Sequence, residues 1–509
     1  MQYLIPEKRE KPCSKEKEMY RKTCQNKELP EIGLYFAGRR NPDNRWVKMA
    51  DLVPWEEVES EYARHFKSHG RGEVALNVRI ALGALLIKEI LGLSDREVVE
   101  SVIENPYLQY FLGFKNFQTK APFSASLLTH FRKRLPREVV MSLNDKIIES
   151  VQNSMRPEDD PPPDGGGVPP EHSNSSEEEN SGTILMDATC APADIRYPTD
   201  LNLVNEAREL TETVIDKLRG QCGDRNPRPR TKREICRKRY LEIIKHPKCG
   251  VSKRRGALRF LLNAIRRNLA FIAKLRDRCG NIPQTISEQL ILIRTLYDQQ
   301  RTMLDNHSRR IDDRIVSLHQ PHVRPIVRGK AGHETEFGAK LTVSLENGYA
   351  RIERLSWNAY NEGGDLQMIC ERYRARTGHY PEAVLADKLF RNRENLRYCA
   401  GHGIRLSGPR LGRPAKIVNP EFLKQQLADN SARNAIEGKF GQCKRRFGLG
   451  RVMARRRDCS ETVIAMTFLA VNLIRWLWDT ETFLPFLRFR PLFFMGREPL
   501  IMPFFQNAA

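Results

Sequence analysis

Two aspartates close two short apolar runs. Asp187 follows Thr183-Ile-Leu-Met186, and Asp387 follows Ala383-Val-Leu-Ala386. Runs of this length, buried as strands in an open α/β sheet, place their terminal residues at the edge where such sheets carry their sites. Two carboxylates on neighbouring strands repel unless a cation lies between them. A divalent ion answers that need, and Mg²⁺ takes few carboxylates together with phosphate oxygens. A third acid, Glu437, lies in Ala432-Arg-Asn-Ala-Ile-Glu-Gly-Lys-Phe440, with Arg433 four residues before it and Lys444 seven after. At about 100° per residue these three share one helix face, beside a stripe of Ile436, Phe440, Cys443 and Phe447. A Glu between cations reads equally as a solvated Arg–Glu pair or as a metal ligand flanked by phosphate clamps. Gly438 and Gly441 cost about 1 kcal/mol each in a helix interior and permit another backbone to approach.

The elements that must hold these residues are legible in outline. Phe337–Leu345 and Ala350–Trp357 alternate on either side of Glu346-Asn-Gly348, a hairpin signal. Asp365–Arg376 and Asn392–His402 read as helices, and Ile404-Arg-Leu406 as a short strand. The order is an α/β pattern with a mixed sheet covered on both faces. Residues 201–309 interrupt it with helical stripes, such as Leu258, Leu261, Leu262, Ile265, Leu269 and Ile272. This insertion is the basic centre of the chain: residues 211–280 hold 21 Lys/Arg against 6 Asp/Glu. A balance so lopsided points to a phosphate backbone. Further upstream, Ala75–Leu91 is apolar at helical spacing, and Ser94-Asp-Arg-Glu97 is a capping box for the next helix. A third helix is expected to start at a Ser124 cap and stop at Pro136, with Arg132, Lys133 and Arg134 facing DNA.

The 509 residues carry a formal net charge of +22, which favours a polyanionic partner. Eleven scattered cysteines without a C-x-x-C pair argue against a disulfide framework or zinc ribbon. His333-Glu-Thr-Glu-Phe lacks the second histidine of a zinc-protease motif. The first twenty residues are charged where a signal peptide needs an apolar core. Thr462–Trp478 carries Asn472 and Arg475, so it reads as a buried core helix, and no membrane partner is expected. Residues 157–182 hold six Pro, eight acids and no Lys or Arg, the composition of a disordered linker. Phe483–Phe505, rich in Phe and Pro, reads as a docking tail.

Asn430-x-x-Arg433-x-x-x-Glu437-x₆-Lys444 resembles the Y-(2)-R-(3)-E-(6)-K signature of bacterial insertion-sequence transposases. Met186-Asp-Ala-Thr-Cys-Ala-Pro-Ala-Asp-Ile-Arg-Tyr197-Pro-Thr-Asp-Leu201 resembles that family's first catalytic strand and its following Y-P-T-D, and Val384-Leu-Ala-Asp-Lys388 its second. The match covers most of residues 71–480 and is closest to the insertion-sequence-five group. Two positions depart from it: Asn430 replaces Tyr, and Leu389-Phe390 stands where Gly-Tyr is common.

The resemblance implies an RNase H-like core with the catalytic, metal-binding triad Asp187, Asp387 and Glu437, and DNA contacts at Arg433 and Lys444. It further implies two Mg²⁺ ions, with Mn²⁺ able to substitute. The implied activity is DNA cleavage and strand transfer on an element's terminal inverted repeats and target DNA, by a homodimer or larger assembly in the nucleoid-associated cytoplasm. The expected organisation is an N-terminal arm (1–70), a helix-turn-helix-like DNA-binding domain (71–150), an acidic linker (151–182), a catalytic domain (183–480) with its insertion, and a tail (481–509). An RNase H-like nuclease or resolvase, or a DNA-binding regulator without catalysis, are the alternative classes.

Overall fold

Polar side chains set the helix starts, as their spacing demands. In the computed structural model Ser94 and Glu97 satisfy each other's backbone amides at the start of α4 (Asp95–Glu104). Asn44 and Asn77 cap α1 (Arg45–Leu52) and α3 (Val78–Leu91), and Asn105 caps α5 (Pro106–Phe111). Helices α2 (Trp55–Ala63), α6 (Leu127–Arg134) and α7 (Arg137–Ser154) complete this region. The Ser124 cap is corrected: α6 begins later, at Leu127, and has no side-chain cap. Helices α1 and α2 already share the core of α3 to α7, so helical packing begins well before residue 71.

The structure describes residues 41–154 and 179–479, with gaps at 65, 67–68, 71–73, 115–116, 222–227, 281, 331–332, 410 and 413–419. It also describes the two-residue strand β1 (Lys17–Glu18), which pairs with β2 (His69–Gly70). The acidic linker, apart from its last residues, and the aromatic tail lie outside the described residues.

A six-stranded mixed sheet forms the centre. Its strands are β3 (Thr183–Pro192), β4 (Arg324–Lys330), β5 (His333–Glu346), β6 (Tyr349–Ser356), β7 (Ala383–Ala386) and β8 (Arg405–Leu406). Asn347 and Gly348, both at positive φ, turn β5 into β6. β3 runs antiparallel to β5 and parallel to β7, which is parallel to β8. Between β3 and β4 run α8 (Asp200–Gln221), α9 (Arg233–Lys245), α10 (Val251–Cys279) and α11 (Gln284–Asp305), the expected helical insertion. Leu261, Leu262, Ile265, Ile293 and Leu296 close its own core.

Each sheet face has its cover. Ile184, Met186, Val384 and Ala386 pack under α12 (Leu366–Thr377) and α13 (Arg393–Gly401). Leu341, Val343 and Leu345 point the other way, toward α14 (Pro420–Arg446), α15 (Arg457–Asp479) and the N-terminal helices. Helix α15 is long and apolar enough to cross a membrane, but most of it is buried inside the protein. Its Asn472 donates to Asn144 Oδ1 of α7 and to the Ala350 carbonyl of β6, and accepts from the Ala350 amide. The seven described cysteines are free thiols.

Glu89 of α3 lies in this core near Lys88, Asp95 and Arg132, and burial pushes its carboxyl up to about 7 from its ordinary 4.5. An acid raised in the folded state keeps its proton while the unfolded chain releases one, so stability falls as pH rises from 4.5 to 7. Glu89→Gln is therefore expected to stabilise the protein by about 2–3 kcal/mol at pH 8 and hardly at all at pH 4. Urea denaturation at the two pH values measures the difference.

Candidate active site

Strand register brings the two aspartates together. Met186 of β3 lies opposite Ala386 of β7, so Asp187 and Asp387 follow side by side where β7 ends. Because side chains alternate, both fall on the face opposite Met186 and Ala386, the face that α14 covers. Each carboxylate accepts the next residue's amide at 2.7 Å, from Ala188 onto Asp187 and from Lys388 onto Asp387.

Helix α14 is seated by the stripe expected of it: Ile436, Phe440 and Cys443 are buried, and Phe447 follows just beyond its end. That seating turns Arg433 inward. Its Nη1 lies 4.0 Å from Asp387 Oδ1, and its Nε is buried with no hydrogen-bond partner among the described residues. The Asp187 carboxyl is raised, chiefly by burial; the Ala188 amide and Arg433 oppose the shift, whereas Asp387 and Glu362 reinforce it.

Glu362, in the 3-10 turn Glu362–Gly364, was not foreseen, and it is ion-paired with Lys340 of β5. Its segment Asn-Glu-Gly-Gly-Asp has no periodicity that would mark an acid for the site. Lys340 also lies over the Tyr360 ring.

Glu437 stands one turn beyond Arg433, exposed and without a hydrogen bond or ion pair among the described residues. No three acidic, His or Cys side chains among those residues converge to metal-ligating distance. The structure thus assembles Asp187, Asp387 and Arg433, and leaves Glu437 on the adjoining helix turn. Lys444 is half-buried near the end of α14. Gly438 faces open space and Gly441 meets only the Arg445 side chain, so no second backbone lies against either among the described residues.

Of the three basic residues expected at DNA on α6, Arg132 is turned inward. It is 8% exposed and holds Asp95 through both carboxylate oxygens, at 3.1 and 2.7 Å. That pair ties α6 to the start of α4. Arg134 lies over the Phe66 ring at 4.7 Å, and Lys133 is exposed. The insertion keeps many cations in solvent, among them Arg237, Lys238, Lys245, Arg259 and Arg266.

A carboxylate whose charge burial and neighbouring acids disfavour, set beside a second carboxylate, suits a hard divalent cation. The residues present therefore fit Mg²⁺ or Mn²⁺, with Arg433 supplying the positive charge beside them.

Residues 384–474, which include Asp387, Arg433, Glu437 and Lys444, match the transposase DDE domain family. Residues 35–134, from before α1 to the end of α6, match a transposase domain family. An uncharacterized protein of Rhizobium meliloti, ORF8 in the nfe locus, is 30% identical over 172 residues, 33% of this chain and 72% of that protein. No solved structure matches.

Proposed function

This chain belongs to the insertion-sequence transposases and acts in DNA transposition, and we propose that Asp187, Asp387 and Glu437 form the acidic triad of an RNase H-like core that cuts and joins DNA. The observation that carries this reading is the side-by-side placement of Asp187 and Asp387 on adjacent parallel strands, with Asp187 raised by burial, Asp387 and Glu362. Divalent ions, held there by Asp187, Asp387 and Glu437, would relieve charge on the scissile phosphate and lower the pKa of the attacking water.

The chain's own groups do the rest. The Ala188 and Lys388 amides each hold one oxygen of Asp187 and Asp387, which fixes the two carboxylates at the strand ends. Arg433 sits where a phosphate oxygen bound near Asp387 would meet its guanidinium. Glu437, unpaired on the next turn, is available to complete the ligand set when DNA arrives. Its exposure gives the helix a carboxylate that needs no other bond broken.

The substrate is the duplex at the ends of the element, held in part by the basic insertion. Neutralising Arg237, Lys238 and Lys245 of α9 to Gln is expected to flatten the log–log salt dependence of DNA binding by about three, since each phosphate contact contributes about −0.9. Fluorescence anisotropy from low to moderate salt measures the slope; an unchanged slope places the duplex elsewhere. The catalytic test is cleavage and joining of a labelled duplex cut from the sequence flanking the reading frame. Mg²⁺-dependent nicking at the element boundary with strand transfer into a second duplex is expected. Binding without any nicking would refute the triad.

A further inference from the structure

Two 3-10 turns meet where β7 ends. Lys388–Phe390 carries the chain out of β7 directly after Asp387, and Glu362–Gly364 leads into α12. They are pressed together at Gly363, where an added Cβ would fall 2.7 Å from the Leu389 carbonyl oxygen. Only glycine allows so close an approach of two backbones. The Gly363 carbonyl accepts from Asn395 Nδ2 at 2.7 Å and from Asn392 Nδ2 at 3.4 Å, and the Gly363 amide donates to Asn361 Oδ1 at 3.1 Å. Asn395 is buried, and its Nδ2 also donates to the Phe390 carbonyl at 2.8 Å, so one side chain ties the two turns. Glu362, next to this junction, is thereby fixed beside the turn that follows Asp387.

Its side chain is not free in solvent. Glu362 is 15% exposed and ion-paired with Lys340, which also donates to the Tyr360 carbonyl at 2.8 Å and lies over the Tyr360 ring. The Glu362 charge reaches Asp187, where it disfavours a second negative charge. Gathering a third carboxylate at this strand edge is costly. A fold that needed only an anchor for Lys340 already has the Tyr360 carbonyl and ring. No three acids among the described residues come within metal-ligating distance, so Glu362 does not join both aspartates as a direct ligand. Mg²⁺, however, keeps several of its waters, and a rigid carboxylate beyond ligating range is an acceptor for them.

We propose that Glu362 is a positioning residue of the ion site: its carboxylate accepts hydrogen bonds from waters kept by a divalent ion at Asp187 and Asp387, and Lys340 is the counter-charge that holds it in place. The inference rests on the reading of those two aspartates as the ion site and adds to it a residue outside the triad.

The test is Mn²⁺ binding by the full chain without DNA, read from the paramagnetic resonance signal of the free ion. Glu362→Gln is expected to weaken binding about 10- to 100-fold, the usual effect of removing such an outer partner. Lys340→Met is expected to tighten it about threefold, because a positive charge near the ion is gone. Both variants break the same ion pair, so a purely structural pair would move both in one direction. The Glu362→Gln loss is expected to persist at about 0.5 M KCl, where a field acting through solvent is screened within a few ångströms. Wild-type affinity in Glu362→Gln, weakening in both variants, or a loss that vanishes in salt overturns the proposal. Asp187→Asn is the companion variant. If it weakens binding and Glu362→Gln does not, the aspartate site stands and the role of Glu362 falls. If Asp187→Asn also leaves Mn²⁺ binding unchanged, the ion is not held there, and the site and this inference fall together.

Discussion

Asn in place of Asp187 or Asp387 is expected to slow strand cleavage on the order of a thousandfold, with binding to element-end DNA nearly unchanged. Removing one charged group aimed at a reacting centre typically costs factors of this size, and a thousandfold is about 4 kcal/mol of barrier. The two variants should not unfold the protein. Burial, Asp387 and Glu362 all disfavour the charge on Asp187 in the folded state. A carboxyl raised by folding contributes less stability once pH exceeds its folded value, so at neutral pH the neutral amide is at least as stable there. Cleavage rate, gel shift and thermal unfolding, measured together, separate chemistry from folding. Glu437→Gln tests the third member by the same three measurements. Full cleavage by Glu437→Gln with none by the aspartate variants would leave the paired strands as the site and remove α14's acid from it.

The second large effect falls on the fold. Asn472→Leu is expected to cost about 3–5 kcal/mol. Its side chain satisfies Asn144 Oδ1 and the Ala350 amide, both buried, and shares the Ala350 carbonyl with Asn144 Nδ2; each of the two groups it alone satisfies costs about 1–3 kcal/mol when left unpaired. Leu keeps the branched skeleton of Asn and is somewhat bulkier, so no cavity opens and the loss is of polar partners, with some crowding added. Helix α15 packs against α1, α3, α6, α7 and β6. Loosening it therefore separates the N-terminal helices from the sheet. A lowered urea midpoint, together with weakened DNA binding, is the expected pair of results; an unchanged midpoint would show that the Asn472 network adds nothing.

Local order was legible where one short stretch decides it. The capping box at Ser94, the Asn347-Gly348 turn and the stripe through Ile436, Phe440 and Cys443 each rest on neighbours within a few residues. Strand β4 was missed because Arg324–Lys330 is short, carries Pro325 and Gly329, and alternates poorly. Its pairing comes from the first half of β5, which outruns β3. Arg132 shows the same limit for charge. Its sequence position in a basic helix end allows solvent or burial equally, and Asp95, 37 residues away, decides for burial.

From its residues alone this chain declared a basic, α/β, DNA-acting protein with an acid at the end of each of two apolar strands and a third on an amphipathic helix. Those traits depend on composition and on neighbours a few positions apart. Folding decided which charges meet: Arg433 against Asp387, Glu362 near Asp187, and Glu437 left in solvent. Coulomb attraction and desolvation depend on separation in space and on exclusion of water, and neither can be read from residues hundreds of positions apart until the sheet register and the seating of α14 bring them together.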